Sequence, residues 1–335
     1  MANKKTQVGE LALEYLSKMQ DKDTRTIARK LRKDHPLVFR SVEAARTTVR
    51  YYRGRQGVTS RNNLTTRCFV LPTPTPDNPF SLPETREKEW VPYVLAPSSK
   101  KNAVIADWHI PYHNMEACNI MLTAMKFYGP DSIVLDGDMF DCYSLSSFTK
   151  DPEERDFPRE KRAMRHFLMA LRNQFPNARI VYKRGNHEMR FQSILMKQAS
   201  DLYDKDETRL DVLLGLPDLD IEWVTDKRIL KIGMLNILHG HEWTGGATAS
   251  VNPARTAFLK GKACCLVAHN HQTSQHTEPT LEGKNITTWS IGCGSELHPQ
   301  YMPINKWNHG MAFVEQGSDG DFMVESKRII KGELV

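Results

Sequence analysis

The sequence predicts an α/β domain behind a small all-α N-terminal domain, on three observations. Short apolar runs recur along residues 101–335, and each is followed at once by polar side chains. Helical stretches alternate with several of these runs, as layered α/β structure requires. Residues 1–60 stand apart in charge, with 14 Lys and Arg against 6 Asp and Glu, whereas the remainder holds 32 against 34. The net charge of +6 therefore belongs to the N-terminal segment. At 335 residues and 40% apolar content the chain can bury a sizeable core beside a smaller module.

The N-terminal segment reads as three short helices. Val8 to Met19 places Leu11, Tyr15, Leu16 and Met19 on one face. Thr24 is read as the cap of Arg25 to Lys33, with Ile27 and Leu31 inward, and Ser41 as the cap of Val42 to Arg53. On this third helix Arg46, Arg50 and Arg53 share a face while Val42, Ala45 and Val49 point inward, and Arg55 continues the basic track. The pattern is similar to a helix-turn-helix module, although it carries no fingerprint motif. Such a face suits a groove or a run of phosphates, so nucleic acid, DNA ahead of RNA, is the expected partner. The competing reading is a solvated charged face on a small bundle. Residues 61–100, dense in proline from Leu71 to Pro83, read as a linker or surface arm, with Trp90, Val91 and Tyr93 pinning its far end.

In the catalytic region, taken as residues 101–335, Val104 to Ala106 leads into Asp107 and His109. Ser132 to Leu135 leads into Gly137, Asp138 and Asp141. Ile180 to Tyr182 precedes Gly185, Asn186, His187 and Glu188; Leu235 to Leu238 precedes His239 and His241; Cys264 to Val267 precedes Ala268, His269 and His271. Helices are expected at Met115 to Tyr128, Glu160 to Gln174 and Phe191 to Leu202, and the last hundred residues read as strands and turns. Sites in α/β sheets collect beyond strand ends, so five loops can converge on one place. Carboxylate, amide and imidazole donors suit manganese, iron, zinc, nickel or magnesium rather than a thiolate site. A pair of such ions about 3.5–4 Å apart can activate water against phosphorus, which points to phosphoester hydrolysis. Two divalent ions are expected, with manganese favoured, and Asp138 is the best candidate for a shared carboxylate.

The order Asp-x-His, Gly-Asp-x-x-Asp, Gly-Asn-His-Glu, His and x-His-x-His resembles that of the calcineurin-like metallophosphoesterase superfamily, over about residues 100–330. The resemblance implies two facing mixed sheets flanked by helices. It implies that Asp107, His109 and His271 hold one ion, that Asn186, His239 and His269 hold the other, and that Asp138 is shared. His187 then resembles the catalytic histidine that protonates the leaving oxygen, with Asp141 orienting its ring. Ala268 departs from the usual glycine, which slightly hinders close backbone approach. Glu188 replaces the commoner aspartate.

Weaker candidates surround these. Arg190 either meets a substrate phosphate or starts a helix; His113 and His241, near the ligands, read as supporting or solvent-facing ahead of substrate contacts. The segment Ser290 to Leu297 resembles a strand end that approaches the site, and the long connection from Phe140 to Arg159 is placed over it as a substrate-selecting loop. The expected activity is that of a nuclease; the alternative is a phosphatase or phosphodiesterase for a small molecule or phosphoprotein. A catalytically dead scaffold would have lost ligands, and none is missing. The six cysteines show no CxxC spacing, there is no apolar run of membrane-spanning length, and no secretion signal is seen. No membrane association and a reducing, cytoplasmic location are expected.

Overall fold

The structure, a computed structural model, describes residues 4–64, 67–70, 76–80, 82–83, 85–87, 89–148, 151–203, 205–225, 227–243 and 251–335. The chain forms two compact units, Met1–Glu89 and Trp90–Val335.

The first unit holds α1 (Lys4–Lys18), α2 (Thr24–Asp34), α3 (Val42–Tyr52) and α4 (Val58–Asn62). Leu16, Ile27, Ala28, Leu31, Phe39, Ala45 and Val49 form its core, so the apolar faces read from spacing are the buried ones. Two details differ from expectation. Asp23 rather than Thr24 caps α2, because its carboxylate reaches the backbone N–H of Arg25 at 2.7 Å and of Thr26 at 3.0 Å. Arg53 leaves the expected basic face: it is buried, and its guanidinium donates to Thr24 Oγ1 at 2.9 Å and to the Lys22 carbonyl at 2.6 Å. The helix ends at Tyr52, so Arg53 falls in the cap and turns back toward the start of α2. Arg50 and Arg55 remain exposed and Arg46 half-exposed, the last paired with Glu43. Part of the proline-rich stretch, including residues 71–75, lies outside the described residues.

In the second unit the chain runs β1 (Tyr93–Val94), β2 (Lys101–Ile105), α5 (Met115–Tyr128), β3 (Ser132–Asp136), α6 (Phe157–Gln174), β4 (Arg179–Lys183), α7 (Glu188–Gln198), α8 (Leu210–Leu214) and β5 (Ile221–Val224). It continues β6 (Leu230–Ile232), β7 (Leu235–Leu238), α9 (Pro253–Gly261), β8 (Cys265–Val267), β9 (Ser274–Pro279), β10 (Asn285–Ser290), β11 (Gly310–Gln316), β12 (Phe322–Ile330) and β13 (Glu333–Leu334). A seven-stranded sheet has the order β13-β12-β11-β2-β3-β4-β5, and a six-stranded one β1-β6-β7-β8-β10-β9. Both are mixed. In the larger, β2 to β5 run parallel and β11 joins β2 antiparallel. In the smaller, β7, β8 and β10 run parallel, with β6 and β9 antiparallel at either side.

Alternation along the central strands divides the core. Val104, Val134 and Val181 point toward Leu230, Ile237 and Leu266 of the facing sheet, while Ile105, Ile133, Leu135 and Ile180 point toward Met121, Met125, Met164 and Leu168 on α5 and α6. The α/β architecture of two facing mixed sheets flanked by helices is thus present. Tyr93 enters β1, pairing with Leu230, and Arg228 donates to the carbonyls of Val91 and Pro92, so the second unit already begins at Trp90. α6 starts earlier than expected, at Phe157, because Asp156 caps it and Pro158 occupies its first turn. α7 likewise starts at Glu188 and gives way to a 3₁₀ turn at Ser200–Leu202.

Candidate metal centre

The strands β2, β3, β4, β7 and β8 end on one side of the unit, and the five polar clusters follow them there. Local packing lets the loops meet. A side chain at Gly137 would strike the His239 ring and Gly185 Cα, and one at Gly185 would strike Asp138. Ala268 is accommodated, since it is not at positive φ and its methyl is buried between the sheets. Asp107, His109, Asp138, His269 and His271 all lie at positive φ, between 49° and 65°. A non-glycine residue held there costs about 1–3 kcal/mol, a strain that persists only where surrounding structure enforces it and that gathers at functional sites.

Among the described residues three groupings of donors could each hold a metal ion: Asp107, His109 and His271; Asp138, His239 and His269; and His109, Asp138 and His187. Asp107 Oδ1 lies 3.3 Å from His271 Nε2 and 3.8 Å from His239 Nε2, while His109 Nε2 lies 3.1 Å from His271 Nε2. Asp138 Oδ2 lies 3.1 Å from His239 Nε2 and 3.8 Å from His187 Nε2, so this carboxylate stands between groupings.

Four of these donors are anchored on the side away from their neighbours. Asp107 Oδ2 accepts from the His269 backbone N–H at 2.8 Å and Asp138 Oδ1 from that of His187 at 2.8 Å. His239 Nδ1 sits 2.7 Å from the Asp136 carbonyl, and His109 Nδ1 2.8 Å from Asp141 Oδ1. By contrast Asp107 Oδ1, His239 Nε2 and Asn186 Oδ1, and His271 Nδ1 with them, are buried with no hydrogen-bond partner among the described residues. Buried polar atoms are rarely left so, and unpaired atoms within a cluster of carboxylates and imidazoles fit a cation pair. Electrostatics agree. Burial alone would raise the carboxyls of Asp107, Asp138 and Asp141, yet the imidazoles around them hold all three below the ordinary range. Burial would push His271 down, but Asp107 carries it up to about 10, and Asp138 and Asp107 similarly draw His239 upward. The carboxylates therefore seek positive charge, which two divalent ions would supply. His269 moves the other way, to about 4, under burial and the neighbouring His239.

His187 is mostly buried and lies beside the same cluster. Its Nδ1 is 2.9 Å from Asp141 Oδ1 and 3.0 Å from the Asp141 carbonyl, so Asp141 is placed to fix its ring. Burial works against its charge, but Asp138 and Asp141 raise its pKa above the ordinary value. Arg190 is engaged on arrival: Nη1 donates to the Asp141 carbonyl at 2.9 Å and Nη2 to His187 Nε2 at 3.0 Å. To meet a phosphate it must let go of that nitrogen. His241 sits behind His239, ring centroids 5.2 Å apart; among the described residues neither of its nitrogens has a hydrogen-bond partner, and burial with His239 lowers it to about 3. His113 is half-buried, its backbone bridged to Ser295, and it joins none of the three groupings. The segment after β10 does reach the site, since the N–H groups of Gly294 and Ser295 donate to the Asp107 carbonyl. Residues 149–150 of the long connection after Phe140 lie outside those described; its near end is tied down by buried Glu160, which accepts from the N–H of Tyr143 and Ser144.

Several supports escaped the sequence reading. Glu188, there only a motif variant, is fully buried and accepts from Asp138 N, Phe140 N, Gly185 N and the Tyr182 hydroxyl, knitting two donor loops together. Glu242 accepts from His239 N and Gly240 N and pairs with buried Lys183 at the end of β4. A lysine closing the buried run from Ile180 to Tyr182 was the available signal. Trp307 packs on His271, ring centroids 4.1 Å apart, and nothing local announced it.

No protein-family model matches the chain. It is similar to the Gene 54 protein of Mycobacterium phage L5, 26% identical over 243 residues covering 64% of this chain and 89% of that protein. Similarity to the Gene 54 protein of Mycobacterium phage D29 is 26% over 248 residues, covering 71% and 93%. Among solved structures, it is similar to Vps29 from Cryptosporidium parvum at 12% identity and a TM-score of 0.39, covering 71% of this chain and 95% of that one. A dimetal phosphatase from Danio rerio matches at 12% identity and a TM-score of 0.33, covering 69% and 96%.

Proposed function

We propose that the chain is a dinuclear metallophosphoesterase that hydrolyses phosphodiester bonds in nucleic acid. One observation carries the reading: carboxylate and imidazole donors from five separate strand ends converge, while Asp107 Oδ1 and His239 Nε2 among them, and Asn186 Oδ1, are buried with no hydrogen-bond partner among the described residues. Asp107, His109 and His271 would hold one divalent ion and Asn186, His239 and His269 the other, with Asp138 shared. When bound, the two ions activate water for attack at phosphorus and neutralise the non-bridging oxygens. The chain's own groups do the rest. Asp141 fixes the Nδ1 side of His187, leaving Nε2 to carry a proton to the departing oxygen. Arg190, released from that nitrogen, reaches toward the phosphate, which couples its movement to the freeing of the acid.

Nucleic acid is favoured as substrate by the basic N-terminal unit, where Arg46, Arg50 and Arg55 lie at the surface. Arg53 is excluded from this set by its burial. The test is a cleavage panel of single- and double-stranded DNA, RNA, and small mono- and diesters, each with manganese, iron, zinc, nickel or magnesium. A combined Arg46→Gln, Arg50→Gln, Arg55→Gln variant should lose polymer cleavage far more than small-diester cleavage. Equal loss on both would overturn the nucleic-acid half of the reading; no hydrolysis of any phosphoester with any ion would overturn the whole.

A further inference from the structure

Beside the donor cluster stands an aromatic ledge that the reaction just described does not use. Trp307 lies against His271 with ring centroids 4.1 Å apart and planes at 52°, and Tyr301 lies 6.4 Å further along. The ledge is rigidly mounted. Asn308 N donates to the His271 carbonyl at 2.8 Å, and the Asn308 side chain clamps Thr273 through both its oxygen and its nitrogen. Asn305 Nδ2 donates to the carbonyls of Leu297 and Met302, and His298 Nδ1 to that of Pro303, so the loop is braced from within. On this braced support Tyr301 is 69% exposed. Desolvation, and after it the Asp141 charge, pushes its phenol up to about 12, with Arg190 acting against them.

An exposed aromatic ring held on a stiff loop has little conformational entropy left to lose when a flat partner stacks on it. The ledge begins at a histidine of a cluster suited to phosphate, and under the phosphodiesterase reading the unit that joins a phosphodiester to a flat aromatic ring is a nucleotide. A base inside a duplex has both faces covered by its neighbours, so only an unstacked base can use such a ring. We propose that Tyr301 and Trp307 form a stacking platform for an unpaired nucleobase next to the phosphate being cleaved, so that the enzyme selects single-stranded or frayed nucleic acid. This rests on the phosphodiesterase reading above and narrows it to one substrate class.

The test uses the full chain and two oligonucleotides of equal length and charge, one carrying bases and one abasic throughout. Binding is read by fluorescence anisotropy and cleavage by kcat/KM with manganese present. The wild type should prefer the base-bearing strand by about five- to a hundredfold, the range expected for a stacked base. Tyr301→Ala should cut that preference by about fivefold or more, and Tyr301→Phe, which keeps the ring, should retain it. A preference absent in the wild type, or unmoved by Tyr301→Ala, would overturn the platform. A preference seen in binding and lost in Tyr301→Ala, with neither strand cleaved, would support the platform while removing the hydrolase reading. Better binding of a fully paired duplex than of the base-bearing single strand would also overturn it.

Discussion

His187 stands between two partners of opposite demand, with Asp141 accepting at its Nδ1 and Arg190 donating toward its Nε2. It lies near Asp138 Oδ2, at 3.8 Å, beside the donor cluster, where the proposed acid would stand. We expect His187→Ala to retain bound metal and lose about 10²- to 10⁴-fold in turnover, the usual contribution of a positioned acid. Turnover within a few-fold of the wild type would remove His187 from the chemistry. Glycine and left-handed residues set the other constraint at this level. Because Gly185 backs directly onto Asp138, Gly185→Ala should lower metal affinity even though it touches no donor atom covalently. Unchanged affinity in a metal titration of that variant would show that the two loops have room to spare.

Among the elements, the buried Lys183 and Glu242 pair ties the end of β4 in one sheet to the turn after β7 in the other, with side chains 1% and 6% exposed. Removing one member of a buried pair leaves the other charge stranded, at about 3–5 kcal/mol. Lys183→Met should therefore unfold at markedly lower urea, and the double change with Glu242→Gln should recover part of the loss. A single variant as stable as the wild type would show that the pair does not join the sheets energetically. In the N-terminal unit the arginines divide by burial. Arg53→Gln should destabilise the helices by breaking its bonds to Thr24 and Lys22, whereas Arg50→Gln and Arg55→Gln should leave stability alone. Those two should each reduce the salt dependence of nucleic-acid binding by about one unit of slope. The reverse assignment in melts and binding curves would contradict this division. Spacing alone could not make it, since Arg53 sits at the right interval for the basic face but beyond the last helical turn.

For the whole molecule, what the sequence could disclose was whatever depends on short range. Each donor cluster follows an apolar run within a few residues, so strand, turn and polar tip are written contiguously, and the structure brings those tips together. The helical faces of α1 to α3 follow from local periodicity in the same way. What stayed hidden depends on contacts between distant segments. Trp307 reaches His271, Glu188 reaches the Gly137 loop, and Lys183 meets Glu242 only after two sheets have closed on one another. The cap at Asp23 was missed for a smaller reason, two competent capping residues standing side by side. Among the described residues no helix is long and apolar enough to cross a membrane. All of the proposed chemistry depends on the meeting of Asp107, His109, Asp138, Asn186, His239, His269 and His271 around two cations. The metal content of the purified protein, determined by elemental analysis after equilibration with manganese and removal of free ion, should be about two per chain. It should fall well below that in Asp138→Asn, where the shared carboxylate is gone. A wild-type chain that retains no metal, or an Asp138→Asn chain that retains the full complement, would contradict it.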